Sequence, residues 1–190
     1  MKKIVCGTEE IFIPGKHNIE NALAAVAIAD CHGIDVEIIR HSLMAFEGVE
    51  HRIEFVDEIK GVKYYNDSKG TNPDAAIKAI EAFEGPIVLI AGGMDKGSDF
   101  SDFIESFNGK IKEMIVLGET AEKIIAAAQI KGFHEICKVE NMEDAVKRAY
   151  EIAEKGDCVL LSPACASWDM YRSYEYRGRD FKGRVRELRD

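Results

Sequence analysis

The chain has 190 residues, 46% hydrophobic and 31% charged, with 25 Lys plus Arg against 34 Asp plus Glu and a net charge of −9. This composition excludes a disordered chain and supplies enough apolar material for one domain and an appendage. The acidic balance excludes broad electrostatic attraction to nucleic acid.

Five cysteines (Cys6, Cys31, Cys137, Cys158 and Cys165) lie far apart and none has C-x-x-C spacing. A zinc site is therefore not expected, and the thiols are expected to be free, in a reducing cytoplasm. No secretory pattern opens the chain and no apolar run is long enough to span a bilayer.

In chain order, Lys3–Cys6 and Glu10–Ile13 read as two short strands of a hairpin. An Ala-rich helix follows over Ile19–Cys31, ended by Gly33, and a second over Asp35–Ala45. Near Gly48 the pattern changes. Arg52–Ile59 and Val62–Asn66 are strand-like and separated by Lys60-Gly61, a hairpin signal. Asn72-Pro73-Asp74 opens a helix, with Asn at the N-cap and Pro at the first helical position. Pro86–Ala91 is a continuous apolar run of the kind a buried parallel strand needs. Helices are expected over Phe100–Phe107, Thr120–Ala128 and Met142–Ala153, with strands at Met114–Leu117, His134–Val139 and Cys158–Leu161. A basic helix closes the chain. Its Arg172, Arg177, Arg179, Lys182, Arg184, Arg186 and Arg189 interleave with acids, which reads as a solvated, salt-bridged face rather than an anion site.

Strands alternating with helices imply an α/β fold: a mostly parallel sheet with helices on both faces. Ligands of such sheets bind beyond the carboxyl ends of the strands. Three loops qualify. In Asn66-Asp67-Ser68-Lys69-Gly70-Thr71-Asn72-Pro73, a cation and two hydroxyls precede a helix N-terminus, which suits an anion. Helix capping would explain Thr71 and Asn72 but neither Asp67 nor Lys69. Gly92-Gly93-Met94-Asp95-Lys96-Gly97 permits a tight turn and close ligand approach, but it is not a phosphate-binding G-x-x-x-x-G-K-[ST] loop, and no other stretch is. Ser162–Asp169 contains Cys165, which has no histidine nearby and reads as structural. It also contains Ser167, which reads as a hydrogen-bond donor because no nucleophile elbow surrounds it. At the boundary, His51-Arg52 is either a surface pair or a phosphate clamp, and the residues alone slightly favour the first.

Together the motifs His-Asn-x-x-Asn-x-x-Ala-Ala (from His17), His-Arg-x-Glu (from His51), Asn-Asp-Ser-Lys-x-Thr-Asn (from Asn66), Gly-Gly-x-x-Lys (from Gly92) and Leu-Leu-Ser-Pro-Ala-Cys-Ala-Ser-x-Asp (from Leu160) resemble the Mur ligases, within them the members that add D-glutamate. The likeness runs over essentially the whole chain. It implies a Rossmann-like C-terminal domain over residues 48–190, preceded at 1–47 by a hairpin-plus-helices end of the central ATPase domain. It further implies ATP and Mg2+ as cofactors of an intact, monomeric cytoplasmic enzyme, with D-glutamate and UDP-N-acetylmuramoyl-L-alanine as its other substrates. The phosphate loop and the metal ligands would lie outside these residues, so the 190 residues alone are expected to be inactive. Carried over by motif, Asn18, Asn21, His51, Arg52 and Asp67 would face the nucleotide. Lys69 and Arg52 would act at the reacting phosphate, and Thr71, Lys96, Ser167 and the backbone near Tyr174 would hold D-glutamate. Tyr174 stands where the family has Phe, and Trp168 where Leu is common. The alternatives are a stand-alone Rossmann-like nucleotide-binding module, or a sister ligase such as a folyl-polyglutamate enzyme.

Overall fold

The computed structural model describes residues 4–189, which fall into two compact units, 1–49 and 50–190. In the first unit a single 3-10 turn, Thr8–Glu10, precedes helices α1 (Lys16–Cys31) and α2 (Val36–Met44). The expected hairpin is absent from the described residues; Lys3 lies outside them. Glu10 explains the difference locally. Its carboxylate accepts from Gly7 N at 2.7 Å, closing the chain on itself where a strand would have to stay extended. A lone two-stranded ribbon has little stability to set against that contact. Asp35 caps α2 by accepting from Glu37 N at 2.9 Å.

The second unit is one six-stranded sheet in the order β1-β2-β6-β3-β4-β5. Its strands are β1 (Glu54–Ile59), β2 (Val62–Asn66), β3 (Ile87–Ala91), β4 (Ile111–Val116), β5 (Ile136–Lys138) and β6 (Cys158–Leu161). Only β1 runs antiparallel, paired to β2 through the hairpin that Lys60-Gly61 foretold. β2, β6, β3, β4 and β5 are parallel neighbours.

Alternate residues of the central strands feed two separate cores, which is why these strands read as unbroken apolar runs. Ile87, Leu89 and Ala91 join Ile80, Phe103 and Ile124 on the face covered by α3 (Pro73–Glu81), α4 (Ser101–Glu105) and α5 (Ala121–Ile130). Val88 and Ile90 join Met142, Val146, Phe181 and Val185 on the face of α6 (Met142–Ile152) and α7 (Tyr174–Glu187). The fold is thus α/β with helices on both faces. Because β6 returns to lie between β2 and β3, the loops leaving those three strands emerge side by side at one edge of the sheet.

Two expectations are corrected here. β1 does not begin at Arg52: His51 and Ile53 sit in the left-handed region, at φ 66° and 45°, so extended pairing starts only at Glu54. The closing basic helix is not a wholly solvated face either. Arg177 and Lys182 are buried, and α7 packs through Phe181 and Val185.

Candidate functional site at the strand ends

The three loops interlock through their backbones. Gly92 N donates to Pro163 O at 2.8 Å and Met94 N to Ala166 O at 2.9 Å, forming an antiparallel bridge between the Gly92–Gly97 and Ser162–Asp169 loops. Asp67 N donates to Leu161 O at 2.7 Å, tying the 66–71 loop to the end of β6. The closeness depends on Gly93, which has φ 143°; a Cβ there would run into the Ala166 carbonyl. Thr120 adds a fourth strand end. Its hydroxyl accepts from Gly93 N at 3.1 Å and lies 3.3 Å from Cys165 Sγ.

Arg177 is the buried keystone of this rim, and sequence reasoning missed it. Only 3% exposed, it donates from Nε to Ser68 Oγ at 3.0 Å and from Nη2 to Ser68 O at 2.9 Å and Cys165 O at 3.1 Å. Its Nη1 reaches Ala166 O at 3.2 Å. One planar fork therefore binds two ligand loops at once, which a lysine could not do. Burial lowers its pKa to about 10, so it remains charged at neutral pH. The available signal was position: Arg177 stands three residues beyond Tyr174 on the inner side of a helix whose Phe181 and Val185 face the core at i+4 and i+8.

Asp67 is likewise turned inward. Its carboxylate accepts from Ser162 Oγ at 2.7 Å and from Ile53 N at 3.3 Å, and burial raises its pKa to about 6 against the pull of those bonds and of the Arg52 and Arg177 charges. The Ile53 contact holds a β-branched residue in a left-handed conformation, a strain that structures tolerate mainly at functional positions. Between the two strained residues Arg52 is exposed, close enough for its charge to act on Asp67. His51 is buried: its backbone N donates to Glu54 Oε2 at 2.9 Å, its carbonyl accepts from Lys69 N at 3.0 Å, and Asn66 Nδ2 approaches its Nδ1 at 2.9 Å. If the Asn66 amide donates there, the ring proton sits on Nε2. Burial lowers the His51 pKa, against the nearby Glu50. Gly178 lets α7 approach this pair, since a Cβ there would meet the imidazole.

Lys69, Lys96 and Arg52 are exposed on this unit, Thr71 and Tyr174 are half-buried, and Ser167 is 2% exposed. Ser68 Oγ donates to Tyr174 O at 2.8 Å, so the Tyr174 backbone is anchored to the Lys69 loop. The structure thus brings Arg52, Asp67, Lys69, Thr71, Lys96 and Ser167, on loops, and Tyr174, at the start of α7, into one unit. Asn18 and Asn21 belong to the other unit, where Asn18 Nδ2 donates to Pro14 O at 2.7 Å and Asn21 Nδ2 to Asn18 Oδ1 at 3.4 Å. Cys165 is buried and its thiol pKa is pushed up to about 11, so it is a packed thiol and not a nucleophile.

Among the described residues, Glu50, His51 and Glu54 have donor atoms at metal-ligand spacing. Lys182 Nζ already sits on both carboxylates, at 2.7 and 2.8 Å, and supplies the compensating charge. That donor set does not fit Mg2+, an ion that prefers oxygen ligands and water, and no step is assigned to a metal there.

Parallel strand ends, two buried polar locks and an exposed set of cations make this an α/β domain with the strand-end arrangement at which open sheets bind their ligands. The family described as "Mur ligase, glutamate ligase domain" matches residues 51–165, and the chain belongs to the Mur ligase family. It is 61% identical over 183 residues to UDP-N-acetylmuramoylalanine--D-glutamate ligase of Thermoanaerobacter sp. (strain X514), covering 95% of this chain and 40% of that protein. Identity to the enzyme of the same name from Clostridioides difficile (strain 630) is 55%, with the same coverage of 95% and 40%. The chain therefore spans about two-fifths of the length of these relatives. Among solved structures, UDP-N-acetylmuramate-alanine ligase of Thermotoga maritima shares the fold with a TM-score of 0.70 at 22% identity, over 94% of this chain and 40% of that one. Mycobacterium tuberculosis folylpolyglutamate synthase complexed with ADP aligns with a TM-score of 0.68 at 16% identity, over 91% and 41%.

Proposed function

We propose that these residues form the C-terminal part of an ATP-dependent, cytoplasmic ligase that joins D-glutamate to UDP-N-acetylmuramoyl-L-alanine. The observation that carries this reading is the identity of 55–61% to D-glutamate ligases across 95% of the chain. The site supports it chemically. In the proposed reaction the γ-phosphate of ATP passes to the substrate carboxylate, giving an acyl phosphate and ADP. The D-glutamate amine then attacks the acyl carbon, and the tetrahedral intermediate expels phosphate. Such a reaction needs positioned charge more than covalent help from the protein.

Lys69 and Arg52 are assigned to the developing phosphate charge, Asp67 to the ribose hydroxyls, and Asn18, Asn21 and His51 to the surroundings of the nucleotide. Thr71, Lys96, Ser167 and the Tyr174 backbone are assigned to D-glutamate, whose distal carboxylate needs a cation and a hydroxyl donor. Residues 1–47 are assigned to the end of the central ATPase domain and 48–190 to the C-terminal domain. Mg2+ would shield the phosphates and would be held by residues elsewhere in the intact protein, which we take to be a monomer.

A chimera tests the reading. These residues replace the matching two-fifths of the Thermoanaerobacter enzyme, and ADP release is followed with D-glutamate, L-alanine or L-glutamate as the amino acid. D-glutamate-dependent release is expected, whereas the 190 residues alone should show none. Turnover with an L-amino acid but not D-glutamate would overturn the assignment.

A further inference from the structure

Trp168 has no evident packing role: it is 63% exposed, yet the turn that presents it is firmly built. Ser167 O accepts from both Met170 N at 3.2 Å and Tyr171 N at 2.7 Å, and Asp169 Oδ2 accepts from Glu119 N at 3.0 Å. Across the rim, the tip carrying Lys96 is equally fixed. Asp95 accepts from Gly97 N at 2.7 Å and pairs with Lys123 at 2.9 Å. The Met94–Ala166 bridge joins the two loops two residues before each tip. At the tips themselves, Lys96 Nζ lies 5.0 Å from the centroid of the Trp168 ring.

The two neighbouring lysines are held in different ways. Lys123 also lies over a ring, 5.9 Å from the Phe100 centroid, but it is paired with the Asp95 carboxylate, which offsets its charge. Among the described residues no carboxylate pairs with Lys96; an indole face holds it instead. A ring attracts an ammonium without neutralising it, so the cation stays available to an anion.

We propose that Trp168 is a positioning residue that holds the Lys96 ammonium next to Ser167, pre-forming the seat for the distal carboxylate of the amino-acid substrate. This rests on the assignment of Lys96 to that carboxylate. A leucine at this position could not do this, because an aliphatic side chain has no electron-rich face.

The test is steady-state kinetics of the intact ligase carrying Trp168→Leu, Trp168→Phe or Lys96→Ala, with each substrate varied in turn. Trp168→Leu should raise KM for D-glutamate about two- to five-fold, the scale of an exposed cation–π contact, with kcat and KM for ATP unchanged. Trp168→Phe, which keeps a ring, should recover most of the loss. A purely structural role would move the melting temperature and would not divide the substrates in this way. Trp168 is also the sole tryptophan of the chain, so its fluorescence should respond to D-glutamate in the present 190 residues and lose that response in Lys96→Ala. If Lys96→Ala raises KM for D-glutamate and Trp168→Leu does not, the inference about Trp168 fails and the assignment of Lys96 stands. If neither variant changes it, the assignment of Lys96 fails and takes the inference with it.

Discussion

The two units of this chain are both rich in apolar residues and put them to different use. Residues 50–190 bury theirs in two clusters, one on each face of the sheet. In residues 1–49 the buried side chains among those described are Asn18, Ala22 and Ile39, while Leu23 is 64% exposed and Ile28, Ile38 and Phe46 are exposed as well. Between α1 and α2 an open groove of about 420 Å³ is lined by Ile11, Val26, Ile38 and Phe46, among others. Apolar residues make a core only when a second layer covers them. The sheet of the second unit has two such layers, and the helix pair of the first has none within the described residues of its own unit.

The largest expected effect breaks the comparison directly. A polypeptide of residues 50–190 should unfold at the same temperature as the whole chain. In hydrogen exchange, the amides of Val88, Leu89 and Leu160 should be protected by orders of magnitude more than those of α1 and α2. Equal protection in both units would mean that the first unit has a core of its own.

Two arginines sharpen the contrast. Arg177→Met leaves the carbonyls of Ser68 and Cys165 without a donor in a buried setting and should cost about 3–5 kcal/mol, read by urea denaturation. Arg40→Met in the first unit removes a largely solvated pair with Glu10 and should leave the denaturation midpoint unmoved. A comparable loss at both positions would contradict the picture of one locked unit and one open unit.

Asp67 gives a pH-dependent version of the same test. Its folded pKa, about 6, lies above the ordinary 3.8, so the folded state holds the proton more tightly than the unfolded chain. The resulting stabilisation is complete below pH 3.8 and is lost as pH rises through about 6. Relative to Asp67→Asn, the wild type should therefore lose about 2–3 kcal/mol between pH 4 and pH 7. Thermal melts of both proteins across that range check it, and a constant difference would show Asp67 ionised throughout. In the first unit the Gly7 N–H bond lowers the Glu10 pKa instead, so melts of Glu10→Gln should show no loss of stability in this direction as pH rises from 4 to 7. In the intact ligase, KM for ATP should rise as pH falls through about 6, because ribose hydroxyls need an ionised acceptor.

The smallest effect concerns Ser167. Replacing it with Ala should remove one hydrogen bond to a charged group, about 1.5–3 kcal/mol, seen as a higher KM for D-glutamate with KM for ATP nearly constant. A change in the ATP term instead would move Ser167 to the nucleotide.

Much of this architecture was legible one element at a time. The apolar runs at Ile87–Ala91 and Cys158–Leu161 could only be strands covered on both faces, and Asn72-Pro73 marked a helix start that the structure reproduces, with Asn72 Oδ1 accepting from Ala75 N at 2.9 Å. These signals are local, because side-chain period and capping act within a few residues of each other. The same local reading failed at Glu10, where a side chain closed on the backbone of Gly7 in place of a hairpin.

Local pattern could not place β6 between β2 and β3, and that placement brings Ser162 to within 2.7 Å of Asp67 across 95 residues of chain. Nor could it show that Arg177, one basic residue among five in the closing helix, would be buried against Ser68, Cys165 and Ala166, or that Lys182 would lie between Glu50 and Glu54. Composition specified that this helix would be charged. Which of its charges lost their water was decided by the face that Phe181 and Val185 turn to the sheet, and by the carbonyls of Ser68, Cys165 and Ala166 there. A buried cation is tolerable only where acceptors converge, and acceptors drawn from two distant loops converge only once the chain has folded.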